Sequence, residues 1–263
     1  MGIVNVTPDS FYDESRITSE RDLIDHAGRM ISEGAHFLDI GGYSTRPGAE
    51  VVTEADERSR VLPAIKTLSR EFPDTLLSID TFRASVAQQA VEAGASLVND
   101  VSGGEQDAKM FETVAQLGVP YVLMHMRGTP QTMNALSRYE DILKEIADYF
   151  SKKIFQLREL GVKDIILDPG FGFAKTADQG FHILQHLNYF SIFGLPILAG
   201  LSRKSMIWRT LGAEPAAALN GTTALNTLAL ANGASILRVH DVREAMECIA
   251  LTQRMNQQTF PVS

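Results

Sequence analysis

Residues 37 to 48 read FLDIGGYSTRPG, a short apolar run that passes directly into a glycine-rich turn. The run Phe37 to Ile40 has the length and composition of a buried strand, and the glycines after it let the backbone approach a ligand closely. Thr45 offers a hydroxyl, and Arg46 offers a planar fork of donors suited to carboxylate or phosphate oxygens. An ordinary surface turn uses the same residue types, so this stretch alone leaves both interpretations open.

Short apolar runs of this kind recur along the whole chain, separated by longer segments of helical period. Eight runs are predicted to be strands: Gly2 to Val6, Phe37 to Ile40, Leu76 to Ile79, Leu97 to Asn99, Tyr121 to Met124, Ile165 to Leu167, Ile197 to Ala199 and Ile236 to Val239. We interpret each as continuously apolar, which is typical of strands in a parallel sheet covered by helices.

The segments between the runs carry apolar stripes at helical spacing. The stripes comprise Leu23, Ala27, Met30 and Ile31; Ile142, Ile146, Phe150 and Leu157; and Ala245, Ile249 and Thr252. We interpret them as surfaces that pack against the core. Pro63 interrupts the helical run from Glu54 to Glu71, where a bend is expected.

Eight strand and helix units in about 250 residues are the usual size of a TIM barrel, whose active sites lie at the carboxyl ends of the strands. An open, doubly wound sheet is the alternative. Polar residues follow nearly every run, whereas an open sheet should concentrate them near one switch point. We therefore predict an α/β protein with a single TIM (β/α)8 barrel domain over residues 1–263.

Composition narrows the class of protein further. The chain has a net charge of −8, which argues against a nucleic-acid or membrane partner and makes any anion site a local one. Its single cysteine, Cys248, has no partner for an internal disulfide and is interpreted as a small buried residue. Neither a secretory leader nor an apolar run of roughly 18 residues is visible, so a cytoplasmic location is expected.

The polar residues around the ends of the eight runs should meet on one rim, because a barrel brings these ends together. They are Asn5, Ser44, Thr45, Arg46, Asp80, Asn99, Asp100, His125, Asp168, Ser202, Arg203, Lys204, Ser205, Arg238 and His240. Each one alone is well explained as a turn former, a helix cap or a solvated charge. Their convergence favours a shared site.

Four motifs, in this order and spacing, resemble the signatures of the dihydropteroate synthase family. They are MGIVNVTPDSF (residues 1–11), STRPG (residues 44–48), IILDPGFG (residues 165–172) and SRKSMI (residues 202–207). The resemblance runs along the whole chain. It implies a transferase of folate biosynthesis that joins 6-hydroxymethyl-7,8-dihydropterin pyrophosphate to p-aminobenzoate, giving 7,8-dihydropteroate and pyrophosphate.

The same resemblance implies a pocket for the pterin. Asp168 would face the N–H donors on the edge of the ring, and Lys204 would reach its carbonyl oxygen and a ring nitrogen. The guanidinium of Arg238 would lie against the ring face. Core packing explains Met124 and Phe173 as well as ligand contact does. The implied pocket comprises Asp80, Asn99, Met124, Asp168, Phe173, Lys204 and Arg238.

The resemblance also assigns residues to the other groups of the reaction. Asn5 would hold Mg²⁺, which keeps most of its waters and takes phosphate oxygens from the substrate. His240 would flank the pyrophosphate, and Arg46 would approach it. The p-aminobenzoate carboxylate would meet Ser205 and the N–H groups that open the seventh helix. The residues closing around the aromatic ring would be Phe11, Thr45 and Pro47.

An SN1-like mechanism fits these residues. The carbon–oxygen bond to pyrophosphate would break first, and the amine would capture the resulting cation, with charge stabilised on both sides. The implied catalytic residues are Asp80, Lys204, Arg238 and His240. The resemblance further implies a homodimer, and it implies that sulfonamides compete for the p-aminobenzoate pocket.

Three features depart from the usual family pattern. Tyr43 precedes the STRPG motif where glutamate is common, and Glu14 stands where glycine is usual. The chain begins inside the first strand, so either a slightly frayed barrel closure or a longer native start is expected. The first two lie outside the implied contacts and are expected to alter loop behaviour or drug response.

Two alternatives to the synthase remain at this stage. A pterin-dependent methyltransferase barrel would share Asn99 and Asp168, but it would not need the STRPG or SRKS motifs. A catalytically silent pterin-binding homologue is the other. The silent homologue is disfavoured by the presence of Asn5, Asp80, Arg238 and His240.

Overall fold

A computed structural model describes residues 1–6, 19–43, 52–129 and 132–257. Eight strands occur in these ranges: β1 Gly2–Asn5, β2 Phe37–Gly41, β3 Leu76–Asp80, β4 Leu97–Asp100, β5 Tyr121–Met124, β6 Ile165–Asp168, β7 Leu198–Ala199 and β8 Ile236–Leu237. They coincide with the predicted runs apart from small differences at their ends. Several polar residues that were predicted to come just after a strand are instead the last residue of that strand. Asp80 ends β3, and Asp168 ends β6.

Nine α-helices occur in the same described ranges: α1 Glu20–Ser32, α2 Glu54–Glu71, α3 Ala84–Glu92, α4 Met110–Leu117, α5 Ile142–Glu159, α6 Ala177–Gln185, α7 Ser205–Thr210, α8 Leu219–Ala231 and α9 Val242–Asn256. Side chains cap several of them, which satisfies backbone donors that have no partner in the first turn. Ser19 caps α1 in this way, and Thr176 forms a capping box with Gln179 at α6. α2 continues through Pro63. Within the described ranges, every helix is too short or too polar to cross a lipid bilayer.

The strands pair in parallel and in sequence order. β1 to β6 form one sheet, and β7 pairs with β8. Parallel bridges connect Leu167 to Ile197 and Gly2 to Val239, so the second sheet is joined to both edges of the first. The predicted TIM barrel is therefore confirmed, and the doubly wound alternative is wrong.

Alternate residues of each strand face the barrel interior and the surrounding helices. The predicted helical stripes pack on the outer face of the strands, where Leu23, Ile146 and Phe150 are buried beside Leu38 and other outward-facing strand residues. A separate apolar layer fills the interior near the amino ends of the strands; it comprises Met1, Leu97, Val122, Ile166 and Leu198. This layer closes the barrel from below and leaves the carboxyl ends for polar groups.

Candidate active site

A charged cluster lies in the barrel above the apolar layer. Asp39, in the middle of β2, has no exposed surface. Ser78 Oγ and Asn99 Nδ2 donate hydrogen bonds to its carboxylate at 2.5 and 2.9 Å. Arg238 Nε donates to the same carboxylate at 2.6 Å, and Arg238 Nη2 donates to Asp80 at 2.6 Å. One guanidinium thus joins two carboxylates from neighbouring strands.

Asp39 is absent from the site that the sequence predicts, because its strand reads as an apolar run. Leu38 and Ile40 pack in the outer core, so the alternation of the strand turns Asp39 into the barrel. The sequence did contain a signal that Asp39 belongs to a charged cluster. A charged residue flanked by apolar neighbours in a buried strand requires a partner of opposite charge, since an unpaired buried charge is costly.

The cluster perturbs the ionisation of its members. Burial alone would lower the pKa of the Arg238 guanidinium, but Asp39 and Asp80 outweigh it and raise the pKa above its ordinary value. Burial raises the pKa of Asp80 to about 7, against the lowering effect of Arg238. An additional positive charge in the barrel would favour the ionised form of Asp80.

Asp168 and Lys204 form a second pair of opposite charges on the rim. Asp168 is only 6% exposed, and its Oδ1 accepts a hydrogen bond from Gly170 N at 2.7 Å. Burial raises the pKa of Asp168, and Lys204 is the main charge that opposes this shift. Burial lowers the pKa of Lys204 to about 8, and here Asp168 opposes the shift. Each group thus stabilises the charged form of the other.

The loop after β6 surrounds the amine of Lys204. The Nζ atom donates to Phe171 O and lies 4.7 Å from the centroid of the Phe173 ring. Phe173 packs on a small apolar cluster that comprises Val101, Met124, Met126, Met133 and Ala174. Met124 and Phe173 therefore form an apolar wall beside the charged groups. That either residue touches a ligand stays a prediction.

Asn5 ends β1 opposite Gly41 of β2. A Cβ atom built on Gly41 would lie 3.7 Å from Asn5 Oδ1 and 3.6 Å from Asp80 Oδ2, so the missing side chain leaves a small cradle between these oxygens. Among the described residues, no three His, Cys, Asp or Glu side chains are grouped to hold a metal ion. The cradle suits an ion that keeps most of its water, as Mg²⁺ does.

The loop between β7 and α7 is tied to the end of β8. Ser202 Oγ lies 3.1 Å from His240 Nδ1 and accepts a hydrogen bond from His240 N at 3.1 Å. Arg203 Nε and Nη2 donate to the two carboxylate oxygens of Asp241 at 2.9 and 2.7 Å. These contacts bring Lys204 and His240 to the same part of the rim. Ser205 is the first residue of α7 and is exposed.

Two members of the predicted polar ring do not face the barrel interior. The Asp100 carboxylate accepts hydrogen bonds from Tyr121 OH at 2.7 Å and from Gly104 N at 2.8 Å. It faces the helices, because Asn99 beside it faces inward and successive strand residues alternate. The expectation that Asp100 joins the rim is therefore wrong. His125 is 2% exposed and contacts Lys175.

Part of the predicted site lies outside the described residues; this part comprises Phe11, Thr45, Arg46 and Pro47, and also Glu14. Tyr43 is described. Its ring lies 5.1 Å from that of Phe82 in an edge-on contact, and the Arg83 guanidinium lies 5.6 Å from its centroid. This residue thus packs against the loop that follows β3.

The loop after β6 depends on a glycine at position 170. Gly170 has φ of 71°, and a Cβ atom there would lie 2.2 Å from His125 O. We expect Gly170→Ala to lower the free energy of unfolding by roughly 3 kcal/mol, because neither the backbone at position 170 nor the backbone of His125 can move away. Gly194 has φ of 62° with nothing within 4 Å. Gly194→Ala is the matched control and should cost only about 1 kcal/mol. Urea denaturation measures both, and equal losses would contradict the role of the clash.

In TIM-barrel enzymes the active site lies at the carboxyl ends of the strands, where this barrel gathers its ionisable side chains. The fold and the site thus define the class of this protein as a TIM-barrel enzyme. A family model described as "Pterin binding enzyme" matches residues 1–240. The dihydropteroate synthase of Synechocystis sp. (strain ATCC 27184 / PCC 6803 / Kazusa) is 47% identical over 249 residues, which cover 94% of this chain and 86% of that protein. The chain belongs to the dihydropteroate synthase family.

Solved structures agree with this assignment. The Yersinia pestis dihydropteroate synthase, in a sulfonamide drug complex, has a TM-score of 0.93 and 39% identity, covering 98% of this chain and 94% of that one. The Xanthomonas albilineans dihydropteroate synthase, solved with 4-aminobenzoic acid, has a TM-score of 0.90 and 39% identity. The match covers 98% of this chain and 93% of that one. These similarities favour the synthase over the methyltransferase and the silent homologue.

Proposed function

We propose that this chain joins 6-hydroxymethyl-7,8-dihydropterin pyrophosphate to p-aminobenzoate, releasing pyrophosphate and 7,8-dihydropteroate. The observation that carries the proposal is the pair of opposite charges at the carboxyl ends of the strands, where Asp168 is only 6% exposed and Lys204 is half-buried. A pterin edge has N–H donors beside a carbonyl acceptor. A carboxylate next to an ammonium complements that edge.

The pterin binds between this pair and the apolar wall. Asp168 accepts from the ring N–H groups, and Lys204 donates to the ring carbonyl. The side chain of Asn99 already donates to Asp39, which directs its carbonyl oxygen toward the ligand. Arg238 is held by Asp39 and Asp80, so its guanidinium plane is fixed before the ring arrives. Such preorganisation lowers the cost of binding.

Asn5 is the residue that would hold Mg²⁺, in the cradle left by Gly41. When bound, the ion supplies positive charge to the pyrophosphate oxygens. His240 stands on the same rim and can donate to the leaving group, with its ring oriented by Ser202. We assign Arg46 to the same anion, as its planar fork of donors suits phosphate oxygens.

The reaction begins with cleavage of the bond between the pterin methylene carbon and the pyrophosphate oxygen. The electron pair leaves with pyrophosphate, and positive charge spreads over the pterin. The Asp80 carboxylate, which accepts a hydrogen bond from Arg238, stabilises this charge. The amine of p-aminobenzoate attacks the methylene carbon, and its proton passes to the departing pyrophosphate.

The second substrate approaches from the rim. Ser205 and the N–H groups at the start of α7 face the p-aminobenzoate carboxylate, which a helix start attracts. We assign Phe11, Thr45 and Pro47 as contacts of the aromatic ring of p-aminobenzoate. This assignment rests on the resemblance of their motifs alone. Sulfonamides resemble this substrate and should compete for the same place.

A pyrophosphate-release assay tests the proposal. The chain is incubated with dihydropterin pyrophosphate and Mg²⁺, with and without p-aminobenzoate. Release that depends on p-aminobenzoate and yields dihydropteroate supports the synthase. Methyl transfer from a methylated pterin would identify the methyltransferase instead, and pterin binding without product would identify the silent homologue.

The pKa of Lys204 predicts how pterin binding depends on pH. Above a pH of about 8, Lys204 loses its proton. Its attraction for the Asp168 carboxylate and for the ring carbonyl then weakens, so affinity for 6-hydroxymethylpterin should fall as pH rises. Lys204→Arg keeps the charge and should lose this alkaline decline. Calorimetry from pH 6 to 10 measures the profile, and an identical decline in both proteins would exclude Lys204 as its source.

We further propose a cytoplasmic homodimer in which residues 1–263 form one domain. Exposed apolar side chains on α8 and α9 support the dimer: Leu228 is 50% exposed, Leu251 73% and Met255 68%. Large apolar side chains on neighbouring helices suit an interface. The single cysteine is buried and reduced, which fits the cytoplasm. Light scattering tests the dimer, and cell fractionation tests the location.

A further inference from the structure

Lys175 lies behind the pterin pocket and has no role in the reaction described above. Its Nζ atom lies 2.9 Å from His125 Nδ1, 3.2 Å from His125 O and 3.0 Å from Phe173 O. An ammonium has three N–H donors, so each proton of Lys175 has one acceptor. His125 then carries its own proton on Nε2, because Nδ1 accepts.

The charges around this contact favour the same arrangement. Burial and the positive charges of Lys175 and Arg127 together lower the pKa of His125 to about 2, so the imidazole stays a neutral acceptor. Burial also lowers the pKa of Lys175, and Asp168 is the charge that raises it. Lys204 and Arg127 are the other charged groups that act on Lys175. Burial lowers this pKa well below its ordinary value, and the three acceptors and the Asp168 carboxylate favour the charged amine against that shift.

Lys175 also follows a strained residue. Ala174 has φ of 50° and is 1% exposed. A left-handed conformation costs a non-glycine residue about 1–2 kcal/mol and persists only where the surroundings hold it. Tyr139 OH donates to Ala174 O at 3.0 Å on one side, and Lys175 is anchored to the end of β5 on the other. Both contacts therefore maintain the path of the loop between β6 and α6.

This loop surrounds Lys204. Phe171 O accepts a hydrogen bond from Lys204 Nζ, and the Phe173 ring lies beside the same atom. Lys175 binds the carbonyl of Phe173 itself. A shift of the loop would therefore move both groups that hold the Lys204 amine near Asp168.

We propose that Lys175 is a positioning residue of the pterin pocket. Its contacts attach the β6–α6 loop to the end of β5 and so keep Lys204 in place, while Lys175 itself does not touch the ligand. The inference rests on the proposed function, because it assumes a pterin bound between Asp168 and Lys204. It assigns Lys175 no contact with p-aminobenzoate, whose predicted residues belong to other segments of the sequence.

Lys175→Met in the full chain tests the inference. The dissociation constant for 6-hydroxymethylpterin, measured by calorimetry, should rise about tenfold, because small displacements of binding groups are costly. The KM for p-aminobenzoate should change by less than about twofold, since Ser205, the described residue assigned to that substrate, lies on α7 and not on the β6–α6 loop. An unchanged pterin affinity, or equal losses for both substrates, would overturn the inference.

A second variant separates positioning from stability. Lys175→Met leaves His125 Nδ1 without its donor, which lowers the stability of the fold. The double variant Lys175→Met/His125→Leu removes both partners and should recover much of the thermal stability, but the pterin affinity should remain weak. Recovery of affinity together with stability would show a purely structural role. If the unaltered protein fails to bind 6-hydroxymethylpterin, the proposed function itself is overturned.

Discussion

Replacement of Asp168 by asparagine (Asp168→Asn) is expected to weaken binding of 6-hydroxymethylpterin by a factor on the order of 10² to 10⁴. Two charge-assisted hydrogen bonds would be lost or reversed, each worth about 1.5–3 kcal/mol. The amide keeps one oxygen for Gly170 N, so the loop after β6 can still form. Calorimetry near neutral pH measures the change.

Asp100→Asn is the matched control for this variant. Asp100 and Asp168 both end a strand, are buried and have raised pKa values because of burial. Asp100 faces the helices, where Tyr121 and Ser102 donate to it. Its replacement should lower the free energy of unfolding by about 2 kcal/mol while pterin affinity changes less than about twofold. Equal loss of affinity in both variants would contradict the assignment of Asp168.

Arg238→Met is expected to affect both folding and catalysis. It removes the partner of Asp39, which has no exposed surface, and leaves an unpaired charge that costs about 3–5 kcal/mol of unfolding free energy. Turnover should fall on the order of 10³-fold, because Asp80 and the pterin plane lose a fixed cation. Urea denaturation and the pyrophosphate-release assay measure the two effects.

Two further variants distinguish these effects. Arg238→Met/Asp39→Asn removes the unpaired charge of Asp39, though Asp80 still lacks its partner, and should regain part of the stability without regaining turnover. Arg83→Met breaks another buried pair, with Glu57, which also has no exposed surface. It should destabilise the fold but leave pterin affinity within about twofold, because Arg83 lies outside the barrel interior. If the double variant regained turnover, Arg238 would serve folding alone.

The sequence predicted the fold well because its signal is local and repeated. Eight apolar runs, each followed by a segment with a helical stripe, can be identified without knowledge of what packs on them. Stripe residues such as Leu23 and Phe150 are buried as predicted. The motifs likewise identified the family, because STRPG and SRKS occur together in one order.

The site could be predicted only in part. Asp168 and Lys204 stand near strand ends and in motifs, and Arg238 stands at a strand end, so the sequence singles them out. Asp39 was missed because it sits inside a strand, and Asp100 was wrongly placed because the sequence does not show which of two adjacent strand residues points inward. A shift of one residue moves a side chain to the opposite face of the sheet.

The sequence by itself determined the order of strands and helices, the class of barrel and the family, since periodicity and motifs are properties of neighbouring residues. Only the tertiary structure decided which charges meet. Arg238 joins Asp39 across 199 positions of the chain, and Lys175 meets His125 across 50. Such pairs depend on the closure of the barrel and on the alternation of each strand. Whether a buried charge is compensated is therefore settled by partners that local sequence does not reveal.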